Sequence, residues 1–207
     1  MTRNDEHAQL SPRGSRPYRE FDVDRATPRA CAVLFATTPY RARGRDRVMA
    51  EFTWALRVYY EDTDLAGIVY YANYLRYMER ARTEWLRALG CEQDVLLAQA
   101  GSVFVVVRAA IEYKTPSRFN DILLVDVAVT TLGRASVVVS QNVYRAPGTV
   151  HIGPVPSEVV AELGSSGHLG PSNYVCTAEI RIACVSAKTL YPCPIPEFIY
   201  AELSRER

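Results

Sequence analysis

The chain has 207 residues, enough for one domain or for one domain and a long tail. Hydrophobic residues make up 48% of it, which can fill a real core, and 24 Lys and Arg against 23 Asp and Glu leave a formal net charge of +1. That near-neutrality argues against a sequence-independent nucleic-acid binder, which needs a basic excess to neutralise phosphates. The cysteines (Cys31, Cys91, Cys176, Cys184 and Cys193) are odd in number, scattered and never C-x-x-C. This argues against a disulfide framework or a thiolate zinc site, and for reduced, mostly buried thiols. No apolar run approaches the roughly 18 residues that span a bilayer. The apolar stretch from Ala30 to Thr38 is too short for a signal peptide and is followed by Arg41, Arg43, Arg45 and Arg47. The expected compartment is the cytoplasm.

Residues 1–50 hold ten arginines and four prolines, with no sustained period of 2 or 3.6. They read as a poorly ordered extension, and Met49 is an alternative translational start. An organelle transit peptide fits the Arg bias but not Asp5, Glu6, Glu20, Asp22 and Asp24. The domain proper is expected over 51–207. Phe52, Trp54, Leu56, Val58 and Tyr60 alternate as a half-buried strand. Glu61 to Gly67 breaks that pattern with acids and a glycine. Leu75, Met78, Trp85, Leu86 and Leu89 then recur at helical spacing over about 16 residues, ended by Gly90. Four more strands are expected: Val103 to Tyr113, Ile122 to Thr131, Ser136 to Tyr144 and Tyr174 to Val185. Between the last two lies a Gly, Pro and Ser-rich insertion at about 146–172, with a short helical turn from Ser157 to Leu163. It reads as a solvated insertion, with a lid over a binding pocket as the competing reading. After Pro192, Pro194 and Pro196, Glu197 to Leu203 has the pattern of an amphipathic turn or two.

One long helix cannot cover both faces of a five-stranded sheet. The sheet should therefore wrap around the helix and bury its remaining area by oligomerising, at least to a dimer. The chemistry concentrates in the link before the helix, where Glu61, Asp62 and Asp64 stand close together. Acids at a helix start can simply complement its dipole. They can also sit beside free backbone N–H groups that bind an anion or oxyanion, the arrangement acyl transfer requires. Asp62-Thr63-Asp64 could instead hold Mg²⁺, but such sites usually enlist further oxygen ligands or substrate phosphates. A Ser or Cys nucleophile lacks a base, because His7, His151 and His168 all fall in irregular sequence.

The run from Arg57 to Trp85, R-V-Y-Y-E-D-T-D-L-A-G-I-V-Y-Y-A-N-Y-L-R-Y-M-E-R-A-R-T-E-W, resembles the hot-dog-fold thioesterases of the 4-hydroxybenzoyl-CoA thioesterase type. Within them it is most similar to the Tol-Pal system-associated acyl-CoA thioesterases. The resemblance continues at Glu112-Tyr113, Pro116-Ser117-Arg118 and Asp121, and returns from Ala178 to Val185 and from Pro192 to Pro196. It implies an α+β hot-dog fold, a curved antiparallel five-stranded sheet wrapped around one long helix. It implies hydrolysis of acyl-CoA, with Asp64 as nucleophile or general base and no metal or cofactor. Tyr71 stands where many members of the branch carry histidine, and is the second candidate catalytic position. Helix-start amides near Tyr70 and Tyr71 would polarise the thioester carbonyl, and Gly67 would allow a close approach. Val69, Tyr70 and Tyr74 are candidate substrate-binding positions, and Arg118 and Arg134, with Lys114, candidates for the coenzyme A phosphates. Asp62 would brace the loop. Ser186 replaces a common Asp, with a structural consequence only. Expected partners are an acyl-CoA substrate and further copies of the chain, as a homodimer or homotetramer; acyl carrier protein is a further candidate. Two alternatives remain: a non-catalytic binding module for acyl chains or acyl carrier protein in an envelope-associated system, and a hot-dog dehydratase. The dehydratase would normally present a catalytic His or Glu in a different local motif.

Overall fold

The computed structural model describes residues 52–205; the expectation of a poorly ordered 1–50 extension lies outside them. In chain order the elements are β1 (Phe52–Arg57), α1 (Asn73–Ala88), α2 (Gln93–Ala100), β2 (Ser102–Tyr113), β3 (Ile122–Leu132), β4 (Ser136–Ala146), β5 (Gly153–Pro154), α3 (Ser157–Ser165), β6 (Tyr174–Ser186) and α4 (Glu197–Arg205). The strands form one sheet in the order β2-β6-β4-β3-β1-β5, antiparallel at every neighbour. The five long strands fall where the residue pattern places them. The sixth, two-residue β5 was not foreseen, because it rests on a pairing between Ala55 and Gly153 that leaves no period in the sequence.

α1 lies across β1 and β3. Its Tyr77, Met78, Ala81 and Trp85 meet Leu56 of β1, Val58 just after it, and Leu123, Val125 and Val127 of β3 in one apolar core. The helix ends as Gly90 suggests. Gly90 is at φ +77°, its N–H donates to Arg87 O, and Cys91 N–H donates to Leu86 O, closing the paired bonds of a Schellman motif. One polar pair is buried within this layer. Arg82 Nη1 donates to Gln141 Oε1 at 2.7 Å, and Gln141 Nε2 donates to Met78 O at 3.1 Å. Register shifts at Val106/Arg108 in β2 and Val129/Thr131 in β3 mark bulges, which bend strands and increase their twist. Tyr60 does not extend β1: it is 81% exposed, in a single 3-10 turn.

The insertion is folded back onto the sheet. β5 extends the β1 edge, and Leu163 of α3 packs on Ala55, Ile122 and Leu124, the residues of β1 and β3 that point away from α1. Tyr144, Val150, Val155 and Leu169 pack around them. The expected helical turn over Ser157 to Leu163 is a helix two residues longer. Helix α2 had no signal above its short length. The C-terminal segment is better anchored than a turn or two, since Ile199 and Leu203 of α4 are fully buried.

On the same outer face Asp126 of β3 is buried, accepting hydrogen bonds from Asn142 N at 2.5 Å and Asn142 Nδ2 at 2.9 Å. Burial pushes its carboxyl up to about 6, and the Asn142 bonds oppose that rise only in part. A carboxyl raised in the folded state is protonated there while its unfolded counterpart ionises. Stability is therefore expected to fall as pH rises from about 4 to about 6, by roughly 2 kcal/mol from this residue. Urea titrations of wild type and Asp126→Asn at pH 4.5 and 7 check this: the wild type should lose more stability across the interval than the variant.

Candidate active site

The link between β1 and α1 builds the site. Its 3-10 turn, Tyr60–Asp62, carries Glu61 and Asp62, and Thr63 then pairs with Val69 as a β-bridge. Between these, Asp64 N donates to Ile68 O and Gly67 N to Asp64 O, both at 2.9 Å, closing a tight turn. Gly67 is at φ +70°, and a Cβ there would meet nothing within 4 Å. The turn's left-handed backbone, rather than crowding within the chain, is what requires glycine.

The two aspartates are used differently. Asp62 is buried, its Oδ2 accepts from Tyr59 N at 2.8 Å, and its carbonyl accepts from Tyr70 N and Asn73 Nδ2, each at 2.9 Å. The Tyr77 hydroxyl is buried beside Asp62, and burial, with that neighbouring carboxylate, pushes the phenol up. Asp62 thus braces the loop. Asp64 is exposed, and its Oδ1 accepts from Ala66 N at 2.8 Å. Its second oxygen has no partner among the described residues and faces solvent.

The expected pair of helix-start amides divides. Tyr70 N–H is committed to Asp62 O. No acceptor among the described residues pairs with the N–H groups of Tyr71 and Ala72, and no side chain caps α1. Both of these peptides are held from their carbonyl side: Tyr70 O accepts from Asn73 N at 2.9 Å, and Tyr71 O accepts from Tyr113 Oη at 3.0 Å. Two fixed N–H groups at the start of a 16-residue helix can receive a developing oxyanion without reorganising.

Aromatic rings surround this helix start. Tyr70 and Tyr71 lie with centroids 4.6 Å apart, and Tyr113 meets Tyr71 edge-on at 6.4 Å and Tyr74 at 5.8 Å. Tyr71 beside it pushes the Tyr70 phenol up. Tyr74 is buried, and its hydroxyl accepts from Ser117 N at 3.0 Å. Val69 is also buried, with its N–H on Ser117 O at 2.8 Å. Val69 and Tyr74 therefore tie the loop to the segment before β3, whereas Tyr70 and Tyr71 are exposed.

Arg118 is exposed in that same segment, its N–H on Asp121 Oδ2. Lys114 is paired with Glu112 at 2.8 Å. Arg134 is not brought to the site. It stands past the far end of β3, eleven residues of strand and roughly 33 Å from the Asp64 end. Any role for Arg134 beside Asp64 needs a second copy of the chain. Tyr113 and Asn73 were not singled out from the sequence. Tyr113 lies within the motif that carried the family resemblance, but its partner, a backbone carbonyl 42 residues away, has no sequence signal.

Tyr113→Phe keeps the ring and removes only the bond that fixes the Tyr71–Ala72 peptide. We expect kcat to fall about fivefold, the equivalent of one ordinary hydrogen bond, with KM nearly unchanged. Steady-state kinetics beside a melting curve check this.

Residues 66–152 match the family model described as Thioesterase superfamily. The chain is 32% identical over 154 residues to the acyl-CoA thioester hydrolase YbgC of Escherichia coli, covering 74% of this chain and 96% of the relative. It is 43% identical over 94 residues to the acyl-CoA thioesterase YbgC of Haemophilus influenzae, covering 45% of this chain and 69% of that one. Among solved structures it is similar to a mutant 4-hydroxybenzoyl-CoA thioesterase complexed with 4-hydroxybenzoyl-CoA, with a TM-score of 0.58 and 19% identity over 73% of this chain and 96% of the other. The architecture is the hot-dog fold, and the chain belongs to the thioesterase superfamily. No helix among the described residues is long and apolar enough to cross a membrane.

Proposed function

We propose that the chain, an acyl-CoA thioesterase, hydrolyses its substrate with Asp64 as the reacting carboxylate and the N–H groups of Tyr71 and Ala72 as the oxyanion site. The observation that carries this reading is an exposed carboxylate in the turn that leads into α1, together with two fixed amides at the helix start that have no acceptor among the described residues. In hydrolysis the thioester carbonyl oxygen takes up charge between these amides. Asp64 either attacks the carbonyl carbon or removes a proton from the water that does; both roles need the same placement. The C–S bond then breaks and coenzyme A leaves as the thiolate, a good leaving group. Tyr70 and Tyr71 form an exposed aromatic wall for the acyl group or the pantetheine arm, and Arg118 is the candidate for a coenzyme A phosphate.

The working unit in this reading is a homodimer or a larger assembly of such dimers. Among the described residues β2 is a 12-residue edge strand with no neighbour on its outer side, and Val106 and Val107 on it are each 51% exposed. Leu65 at the tip of the catalytic loop and Leu75 on α1 are exposed as well. A second copy covering these residues would enclose the site.

Thiol release from a panel of short-chain, long-chain and aromatic acyl-CoAs, with acyl-carrier-protein thioesters beside them, tests the proposal. Turnover of at least one acyl-CoA is expected, and the profile names the acyl class. Binding of the panel without turnover would overturn the proposal in favour of a non-catalytic acyl or carrier-protein binding module.

A further inference from the structure

Far from Asp64, at the C-terminal end of β6, two thiols face each other. Cys184 Sγ and Cys193 Sγ are 3.7 Å apart, and both cysteines are free. Cys193 N–H donates to Cys184 O at 3.0 Å, and the next residues, Val185 and Pro192, form a β-bridge. The two cysteines are thus opposite one another on adjacent antiparallel segments, where Cα separations fall inside the range a disulfide spans. Cys184 is fully buried, whereas Cys193 is partly exposed, with Ser102 Oγ 3.5 Å from its sulfur. Nothing in their sequence spacing, nine residues apart with prolines around Cys193, signals this pairing.

We propose that Cys184 and Cys193 form a reversible dithiol–disulfide pair that accepts oxidation by a low-molecular-weight disulfide and, once closed, staples the C-terminal segment to β6. Cys193 loses its proton to solvent, and its thiolate attacks one sulfur of the small disulfide RSSR. The S–S bond breaks, RS⁻ leaves with the electron pair, and a mixed disulfide forms on Cys193. Cys184 then deprotonates and attacks Cys193 Sγ, expelling the second RS⁻. In net terms two protein thiols are oxidised by two electrons and RSSR is reduced to two RSH. The order follows from access. Cys193 meets solvent, while burial and the adjacent Cys193 push the Cys184 thiol up to about 12, so Cys184 is the resolving partner.

The staple would act on the segment that seats α4. Ile195 N–H donates to Arg134 O, and Ile199 and Leu203 enter the main core. Closing the loop restricts this segment in the unfolded chain as well, so the oxidised protein should melt higher. The proposal makes no use of the Asp64 site, and thioesterase turnover is expected to be the same in both states.

The test uses the full chain, prepared reduced, freed of reductant and exposed to oxidised glutathione without denaturant. Trypsin cuts after Arg181 and Lys188, so Cys184 and Cys193 fall on separate peptides, 182–188 and 189–205. The expected result is a cross-linked pair of those peptides, the loss of two of the five thiols, and a higher melting temperature that dithiothreitol reverses. In Cys193→Ser the cross-link and the melting shift should both vanish while turnover persists. A glutathione adduct that persists on Cys193, a cross-link of Cys184 to Cys91, or two unmodified cysteines would each overturn the proposal. So would a cross-link that forms only when urea is added.

Discussion

Replacing Asp64 by Asn is expected to lower kcat/KM by about 10²-fold or more while leaving the melting temperature nearly unchanged. Asn has the shape of Asp, and its Oδ1 can keep the bond from Ala66 N–H that shapes the turn. It cannot attack a carbonyl or take a proton from water. Because Asp64 is exposed and makes no buried contact, the fold should shift by less than about 0.5 kcal/mol. A 10²-fold loss corresponds to about 2.7 kcal/mol of transition-state stabilisation, far above anything that small change in folding could produce. Rates of thiol release with saturating and limiting acyl-CoA, beside thermal melts, would measure both quantities.

The largest effect on stability outside the main core is expected at the insertion. Leu163 of α3 is 8% exposed and packs on Ala55, Ile122 and Leu124. Leu163→Ala removes three buried carbons from that contact and leaves a cavity unless α3 settles inward, a cost of about 2 kcal/mol. If the segment were a solvated loop, the same change would cost less than about 0.5 kcal/mol. Urea unfolding separates these values. Activity should be retained, because α3 covers the sheet face opposite α1, and the Asp64 turn is held instead by bonds to Asp62, Ile68, Ser117 and Tyr113. The solvated and lid readings drawn from composition thus both give way to a packed layer on the outer face. Its Gly, Pro and Ser content hid four apolar anchors (Val150, Val155, Leu163 and Leu169) spaced at neither strand nor helix period.

The parts of the fold that were legible have strong local periods. Alternation from Phe52 to Val58 marks β1, and the spacing from Leu75 to Leu89 with Gly90 after it marks α1 to within two or three residues. Elements defined by partners distant in sequence were not legible: β5 exists through Ala55, and α2 is a short helix without a clear apolar face. The same division holds at the candidate site. The acids and the helix start stand in one contiguous run, so the local chemistry could be read. Which amides remain free could not, because Tyr70 N–H is taken by a carbonyl eight residues back and the Tyr71–Ala72 peptide is fixed by Tyr113 from β2. Val69 and Tyr74 show a further limit. Their place in the motif suggests substrate contact, and what no local pattern shows is that both are also buried and tied to Ser117 as anchors of the loop.

The proposed division, Asp64 for the chemistry and Asp62 for the loop, can be resolved in one paired measurement. Asp62→Asn and Asp64→Asn are compared with wild type for kcat/KM on the best acyl-CoA and for melting temperature. Asp64→Asn is expected to lose the rate and keep the melt, while Asp62→Asn, altered at the buried carboxylate that accepts from Tyr59 N–H, should lower the melt and lose less rate. An Asp64→Asn protein as fast as wild type, or an Asp62→Asn protein that melts normally yet is inactive, would overturn this assignment of the two aspartates.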